Sequence, residues 1–350
     1  MRITFNLQGV PPADNGGTAT IFNSANTLAR MGHKVVVVSE KKNEFTWFPL
    51  KGPEYIQTQG FAPEYPGAKV LIATGAHTVQ HVLNAPASKG AKFWWVRAHE
   101  SWSTPEQVLL GHYQNSYLYP LVNSICLQRY IQEKVNRTVP IVRPGMSLDK
   151  FYPIRRRNWT EKEGTWILGT LFSRKSRKRF QWAREIYAGC RSRKLPVELW
   201  MYGTEDAPKN IKHDRYLKAP SVDGLRLLYG EIDIWLAPTK SEGLHMPPQE
   251  AMLCECLVIG ADDPLSGMRD YLSHGKTGYV MSYWSDAVDF IEQAMSDPSR
   301  LSEITKAGRE RIIEMGDRDL NMINMVQHLE RGEEPTALRR KILSMRGRGR

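Results

Sequence analysis

Two acidic residues eight positions apart, Glu242 and Glu250, are the most informative pair of chemically active side chains in the sequence. Glu242 follows an apolar run that predicts a buried strand, and Pro247 and Pro248 suit the first turn of a helix containing Glu250. Ligands of open α/β sheets bind outside the carboxyl ends of strands, so both carboxylates are placed to accept hydrogen bonds from ligand hydroxyls. The alternative is that Glu250 only complements a helix dipole and that Glu242 is a solvated loop acid.

A basic run between Phe172 and Phe180, with the sequence FSRKSRKRF, follows another predicted strand. Arginine binds phosphate through a bidentate fork and lysine binds it as a point charge, so this run is a candidate anion site. The alternative is a solvated basic loop, which is common for runs of this kind.

The elements that must position these residues alternate between strand and helix. Met1–Leu7 and Lys34–Ser39 predict buried parallel strands, and Thr18–Arg30 between them has helical periodicity after a loop over residues 9–17. Further strands are predicted at Lys69–Ala73, Phe93–Val96, Ser124–Leu127 and Ile141–Val142.

A segment rich in proline and arginine, residues 143–159, predicts a linker, after which a second alternation begins. We expect two Rossmann-like, doubly wound α/β domains over residues 1–150 and 151–315. A helix over residues 316–332 would pack back on the first domain, and a basic tail over residues 333–350 would be disordered. The second domain has predicted strands at Thr165–Leu171, Val197–Tyr202, Ile232–Ala237 and Leu257–Ile259, and predicted helices at Phe180–Cys190, Leu225–Gly230, Pro248–Glu255, Trp284–Met295 and Pro298–Met315.

The segment SEGLHMPPQEAM, residues 241–252, resembles the S-E-G-F-G-L-P-x-x-E-A-M hallmark of the retaining family-4 glycosyltransferases, the glycosyl transferases group 1. NGG at residues 15–17, the run LARMGHKV at 28–35, PGM at 144–146 with FYP at 151–153, and YGEIDIWLAPT at 229–239 are similar to other family motifs, in the same order. The resemblance extends through nearly the whole chain. It implies a GT-B fold, in which two Rossmann-like domains face each other across a cleft.

The resemblance also implies a retaining, metal-independent, hexosyltransferase-like enzyme that needs no cofactor and uses a nucleotide-diphosphate sugar, a UDP- or GDP-sugar, as donor. Glu250 would accept hydrogen bonds from the ribose, and Glu242 would lie by the donor sugar and stabilise positive charge as the leaving group departs. Gly243, Leu244 and His245 would complete the donor site, although the family usually has glycine where this chain has His245. The segment Ser266–Met268 would touch the donor as well.

The leaving diphosphate would be held by basic residues of the run described above. Lys178 matches the family's lysine, and Arg174 would replace an arginine whose usual position is occupied here by Thr170. Lys175 is the alternative for either role.

Two further groups in the first domain acquire roles from the resemblance. Gly16, Gly17 and Thr18 would face the diphosphate, because glycine lets a backbone approach closely and a helix N-terminus offers N–H groups. His99 matches a histidine that the family often has, and it would contact the donor sugar or position the acceptor. A purely structural histidine is the alternative.

The formal net charge of +11 predicts attraction to an anionic partner. Residues 155–218 contain 17 Lys and Arg against 7 Asp and Glu, and residues 331–350 contain 7 against 2. A saccharide, lipid-linked or small-molecule acceptor is the first interpretation, with the basic segments meeting an anionic membrane or nucleic acid. The alternatives are a phage-type DNA glycosyltransferase that flips out a hydroxymethylated pyrimidine, and a non-catalytic nucleic-acid-binding protein of the same fold.

The sequence also bears on cellular location. No apolar stretch approaches the roughly 20 residues that span a bilayer, and the N-terminus has no signal-peptide pattern. The four cysteines predict buried thiols in a reducing compartment, without a disulfide framework or a metal site. We therefore expect a cytoplasmic protein.

Overall fold

Two separate parallel sheets organise the chain, one in each of two structural units. The computed structural model describes residues 1–8, 15–41, 47–59, 64–155 and 157–346, and it describes side chains as far as Gly332. The first unit comprises residues 1–145 and 318–350, and the second comprises residues 146–317. Residues 9–14 of the predicted glycine-rich loop lie outside the described residues.

The first unit contains a six-stranded parallel sheet made of β1 (Arg2–Asn6), β2 (Lys34–Ser39), β3 (Glu54–Gln57), β4 (Val70–Ala73), β5 (Ala91–Val96) and β6 (Tyr119–Val122). The spatial order β3-β2-β1-β4-β5-β6 is that of a doubly wound nucleotide-binding sheet. The connecting helices are α1 (Gly16–Arg30), α2 (Ala76–Asn84), α3 (Glu106–Gln114) and α4 (Ile125–Val135).

Local sequence explains the first crossover of this sheet. The four consecutive valines of β2 are all buried, as a strand covered on both faces requires. Helix α1 begins after Asn15, whose side chain accepts a hydrogen bond from the backbone N–H of Thr18. It ends before Gly32, whose φ of +88° is a conformation that glycine adopts without strain.

The second unit repeats the same arrangement. Its sheet consists of β7 (Trp166–Leu171), β8 (Val197–Gly203), β9 (Arg215–Lys218), β10 (Ile234–Ala237), β11 (Leu257–Ala261) and β12 (Tyr279–Met281). All pairings are parallel and the order is β12-β11-β10-β7-β8-β9. The helices are α5 (Phe180–Ser192), α6 (Val222–Glu231), α7 (Met246–Leu253), α8 (Trp284–Ser296) and α9 (Leu301–Glu314).

Each sheet has a hydrophobic core on both faces. In β10, Ile234 and Leu236 pack into the core that includes α5 and α8, whereas Trp235 and Ala237 pack into the opposite core with α6 and α7. This division follows from the two-residue alternation of side chains along a strand.

The last helix, α10 (Arg318–Arg346), belongs to the first unit. Its buried residues Met322, Met325 and Leu329 share a core with the central strands of that unit's sheet. A disordered basic tail is expected from residue 333, whereas the backbone is helical to Arg346. Residues 347–350 of that tail lie outside the described residues.

Two predicted strands of the first unit are wrong. Ser124 lies immediately before α4 and the predicted strand Ser124–Leu127 is the first turn of that helix, while the strand itself is β6, a few residues earlier. Ile141 forms an isolated bridge with Val122. Short apolar runs cannot be assigned by periodicity, and Pro120 makes β6 look unlike a strand, although proline is tolerated at a sheet edge.

Asp233, just before β10, connects β7 to the charged residues that precede β7 in the chain. Its buried carboxylate accepts a hydrogen bond from the N–H of Ile167 at 2.8 Å and forms ion pairs with Lys162 at 2.9 Å and with the buried Arg157 at 3.6 Å. Removing this carboxylate would therefore leave a buried guanidinium without its charge partner.

We expect Asp233→Ala to lower the free energy of unfolding by about 3–5 kcal/mol, because it breaks a buried ion pair. Urea unfolding of the full chain, followed by circular dichroism, measures this change. Glu231→Ala is the matched control, since Glu231 pairs with Arg155 at the surface and its removal should cost at most about 1 kcal/mol. Equal effects of the two substitutions would contradict the structural role of Asp233.

Candidate functional site

The acidic and basic segments singled out in the sequence meet at the centre of the second sheet. β7 and β10 are neighbours, and the chain winds away from this pair in opposite directions, to β8 on one side and to β11 on the other. Such a reversal of strand order is the usual place for a ligand crevice. The basic run follows β7 and the loop carrying Glu242 follows β10, so both lie at this switch point.

Glu242 lies at the centre of a cluster of charged side chains. Its Oε1 atom is 2.7 Å from Arg177 Nη1 and 2.8 Å from Lys178 Nζ, and its side chain is only 12% exposed. Burial acts to raise the pKa of Glu242, but the positive charges of Lys178 and Arg177 outweigh it and lower the pKa to about 2. Two cations therefore contact the same carboxylate oxygen.

His245 lies beside this cluster and is buried. Its Nδ1 is 3.1 Å from Thr239 Oγ1. Burial, together with the charges of Lys178 and Arg177, lowers the pKa of His245 to about 3, although Glu242 opposes this shift. The imidazole is therefore neutral at physiological pH, and it adds no third positive charge to the cluster.

The loop around Glu242 has an unusual backbone. Ser241 and His245 have φ angles of +54° and +53°, in the left-handed region that costs a non-glycine residue of order 1–3 kcal/mol. Tyr271 donates a hydrogen bond to the carbonyl of His245, and Gln249 donates to the carbonyls of Leu244 and His245. These contacts hold the strained loop in one conformation.

The loop over residues 266–268 supports the loop that carries Glu242. The N–H of Gly267 donates to the carbonyl of Glu242 at 2.8 Å. A Cβ atom on Gly267 would lie 1.8 Å from the carbonyl oxygen of Gly243, so only glycine allows this approach. The structure therefore places the segment Ser266–Met268 directly against the Glu242 loop.

Glu250 lies in α7, as the sequence predicts. Its Oε2 accepts a hydrogen bond from the hydroxyl of Tyr229 at 3.0 Å, and the Tyr229 hydroxyl lies 3.0 Å from that of Tyr202. Both tyrosines are buried, so Glu250 is oriented by a fixed polar group from α6.

Arg177 is a member of the cluster that the sequence analysis does not single out. The basic run turns through a short 3₁₀ helix over Ser176–Lys178, and Arg179 follows with a φ of +44°. This turn directs Arg177 and Lys178 to Glu242, whereas Arg174 pairs with Glu205 at 3.3 Å and is 73% exposed. Lys175 is exposed as well. The backbone turn decides which basic side chains face Glu242, and the composition of the run, with five basic residues over positions 174–179, does not reveal that turn.

In the first unit, the segment Gly16–Thr18 opens α1. The side chain of Asn15 accepts a hydrogen bond from the N–H of Thr18. Arg97 donates one hydrogen bond to the carbonyl of Gly17 at 2.5 Å and another to the carbonyl of Thr74 at 2.7 Å. Arg97 thus ties the start of α1 to the end of β4. A Cβ atom on Gly17 would lie 3.0 Å from Asn15 Oδ1, which is closer than an ordinary contact.

His99 is buried in the first unit with both ring nitrogens engaged. Nε2 is 2.7 Å from Glu106 Oε2, and Nδ1 is 3.3 Å from the hydroxyl of Tyr113. Tyr130 donates to the other oxygen of Glu106. These contacts favour the structural role for His99 over a ligand contact.

The described residues contain neither a cluster suited to a metal ion nor a helix suited to cross a membrane. No group of three or more His, Cys, Asp or Glu side chains in that part of the chain is arranged to hold a metal ion. None of its helices combines the length and the apolar character that a bilayer crossing requires. The four cysteines are free thiols, and Cys190, Cys254 and Cys256 are buried.

Comparison with known families matches the part of the chain that holds the cluster. A family model described as glycosyl transferases group 1 matches residues 165–297, which is less than half of the chain. A search of curated protein sequences finds no match.

Solved structures resemble 94% of the chain. Sucrose-phosphate synthase from Thermosynechococcus elongatus is 15% identical, with a TM-score of 0.72 over 94% of this chain and 98% of that one. Anabaena HepE in complex with UDP-glucose is 12% identical, with a TM-score of 0.74 over 94% and 99%. A Staphylococcus aureus TarM mutant in complex with fondaparinux, alpha-GlcNAc-glycerol and UDP is 10% identical, with a TM-score of 0.71 over 94% and 99%. The fold is therefore GT-B, with two Rossmann-like sheets.

The neutral state of His245 gives a prediction about pH. An unfolded histidine has a pKa near 6.5, and the folded pKa is about 3, so the unfolded chain binds more protons between these values. Stability should therefore fall as the pH drops below 6.5, by up to about 1.4 kcal/mol per pH unit from this residue. In His245→Asn this component is absent.

Urea unfolding at several pH values between 6.5 and 4.5 measures the difference in slope between the wild type and His245→Asn. This window lies above the range in which Glu242 titrates, since its carboxylate contributes stability that is lost between about pH 4.5 and 2. Identical slopes for the two proteins would show that His245 is not held neutral in the fold.

Proposed function

We propose that the protein is a retaining glycosyltransferase, which moves a sugar from a nucleotide-diphosphate sugar to an acceptor hydroxyl. The observation that carries this proposal is the cluster of Glu242, Arg177 and Lys178 at the switch point of the second sheet. An arginine and a lysine side by side in a half-buried place suit a diphosphate, and the adjacent carboxylate suits a sugar that develops positive charge. The match to glycosyl transferases group 1 over residues 165–297 supports the same function.

In this proposal the second unit holds the donor. Arg177 and Lys178 bind the diphosphate and stabilise its growing negative charge, so no metal is required. Glu242 lies by the donor sugar, and Glu250, oriented by Tyr229, accepts hydrogen bonds from the ribose hydroxyls. The other residues that the resemblance implies remain in the proposed donor site: Gly16, Gly17, Thr18, Lys175, Gly243, Leu244 and His245.

The reaction exchanges one bond at the anomeric carbon of the sugar. The bond to the diphosphate oxygen breaks, a bond to the acceptor oxygen forms on the same face, and the acceptor proton goes to the departing diphosphate. Glu242 stabilises the positive charge of the sugar, and the two cations stabilise the leaving group. The product therefore retains the anomeric configuration of the donor.

Uracil is the first donor base to test, because HepE was solved with UDP-glucose and the TarM mutant with UDP. A saccharide, lipid-linked or small-molecule acceptor is the preferred interpretation, and the fondaparinux complex of the TarM mutant supports a saccharide.

We expect the purified full chain to release nucleoside diphosphate from at least one member of a panel of UDP- and GDP-sugars. Release is measured by a coupled assay for free UDP or GDP, first without acceptor and then with lipid extracts, saccharides or hydroxymethylated DNA. Glu250→Ala should weaken nucleotide binding by about tenfold or more, because a carboxylate that binds hydroxyls is worth about 1.5–3 kcal/mol. Binding of no member of the panel would contradict the proposed function.

We expect Lys178→Ala and Arg177→Ala to lower turnover about a hundredfold, and nucleotide affinity much less, because their charge matters most as the leaving group departs. Steady-state kinetics with the active donor separate kcat from KM. Arg184→Ala is the control, since Arg184 pairs with the neighbouring Glu185 at the surface.

Arg174→Ala tests whether the phosphate-binding role belongs to Arg177 or to Arg174. Because Arg174 is exposed and paired with Glu205, we expect a smaller loss of turnover than for Arg177→Ala. A larger loss for Arg174→Ala would return the phosphate-binding role to Arg174 and remove it from Arg177.

A further inference from the structure

One buried side-chain nitrogen beside the Glu242 cluster has no hydrogen-bond partner among the described residues. His245 is 6% exposed, its Nε2 is shielded from solvent, and no hydrogen-bond partner for Nε2 lies in the part of the chain that the structure describes. Buried polar atoms are normally hydrogen-bonded, and an exception at a candidate site points to a partner that arrives with a ligand. The Thr239 hydroxyl at Nδ1 can donate or accept, so Nε2 is able to act as either a donor or an acceptor.

The backbone at His245 strengthens this interpretation. The residue has a φ of +53°, a conformation that glycine adopts freely and histidine does not. Its carbonyl is fixed by Tyr271 and Gln249, so the imidazole is directed by a rigid backbone. Strained, well-supported residues of this kind cluster at ligand sites, because the strain persists only where the surroundings determine the conformation.

The chemistry of the neighbours indicates which part of a donor this nitrogen would meet. A diphosphate is satisfied by Arg177 and Lys178, and a neutral imidazole adds little to them. A sugar hydroxyl both donates and accepts, so it matches an imidazole nitrogen of either tautomer. Glu242, which would lie by the sugar, is three residues away on the same loop.

We propose that His245 Nε2 binds a hydroxyl group of the transferred sugar and thereby helps to select the donor sugar. This inference rests on the proposed function. Because Nε2 is shielded in the free protein, some side chains must move before a sugar reaches it. Arg177 and Lys178 lie close enough to His245 to lower its pKa, and we expect them to move as they turn to the diphosphate.

The experiment compares binding of nucleoside diphosphates with binding of the matching sugar nucleotides. The full chain and its variants are titrated calorimetrically with UDP, UDP-glucose and UDP-galactose, and with GDP, GDP-glucose and GDP-mannose. His245→Gly removes the imidazole and suits the backbone conformation, so it is expected to fold. His245→Asn retains a hydrogen-bonding group and also tolerates a positive φ.

The control is Ser241→Gly, which relieves the same kind of backbone strain four residues away and leaves the imidazole in place. It should leave all affinities within about twofold of the wild type.

We expect His245→Gly to bind the nucleoside diphosphate within about twofold of the wild type and to bind the preferred sugar nucleotide about tenfold more weakly, which is the worth of one hydrogen bond. Its discrimination between sugar epimers should shrink by a similar factor, and His245→Asn should recover part of both. Two results would overturn the inference: unchanged affinity of His245→Gly for the sugar nucleotide, or an equal loss for the sugar nucleotide and the bare diphosphate.

Failure of the proposed function gives a different result. If the wild type binds none of the six nucleotides, the donor site itself is refuted, and the inference about His245 fails with it. If the wild type binds them and only the His245 variants behave unexpectedly, the donor site stands and His245 has another role.

Discussion

A half-buried carboxylate held by two cations is the interaction on which the candidate site depends. Removing Glu242 from water is unfavourable, and Arg177 and Lys178 at 2.7 and 2.8 Å compensate for it so fully that the pKa of Glu242 falls. The same contacts hold two cations and one carboxylate together at the switch point of the second sheet. In the proposed function, the two cations would meet the diphosphate of a donor and the carboxylate would face its sugar.

The fold supplies this cluster with its geometry. Parallel strands deliver the loops after β7, β10 and β11 to one edge of the sheet, and the reversal of winding between β7 and β10 leaves room there. The loops are then fixed by contacts that tolerate little change. Lys240 donates its backbone N–H to the carbonyl of Arg177, and the Gly267 loop rests on Gly243. Such support explains how two residues with positive φ angles persist in one short loop, since the strain is offset by the packing around it.

Much of the architecture is predictable from the sequence because the buried strands have a strong hydrophobic pattern. The four valines of β2 and the apolar run of β10 are typical of strands covered on both faces. The end of β10 places Glu242 in the loop that follows, and the prolines at the start of α7 place Glu250 in that helix. The prediction was weaker where a single backbone turn decides the outcome. Whether Arg174 or Arg177 meets Glu242 depends on a 3₁₀ turn and on the left-handed Arg179, which have no periodic signature. The strand predicted at Ser124–Leu127 was wrong for a similar reason, because four apolar and polar residues suit a strand and a helix start equally.

The positive charge of the basic segment 155–218 is more extensively paired in the folded chain than its composition suggests. Much of its charge is paired with acids that lie outside the segment in sequence: Arg157 and Lys162 with Asp233, Arg177 and Lys178 with Glu242, and Arg193 with Asp289 and Glu292. Other cations lie over aromatic rings, Arg179 over Trp182 and Arg215 over Trp200. A local excess of ten positive charges along the chain is therefore not an excess of ten on one surface. Long-range attraction to a polyanion depends on the surface excess, so this segment gives less support to a nucleic-acid partner than its composition suggests.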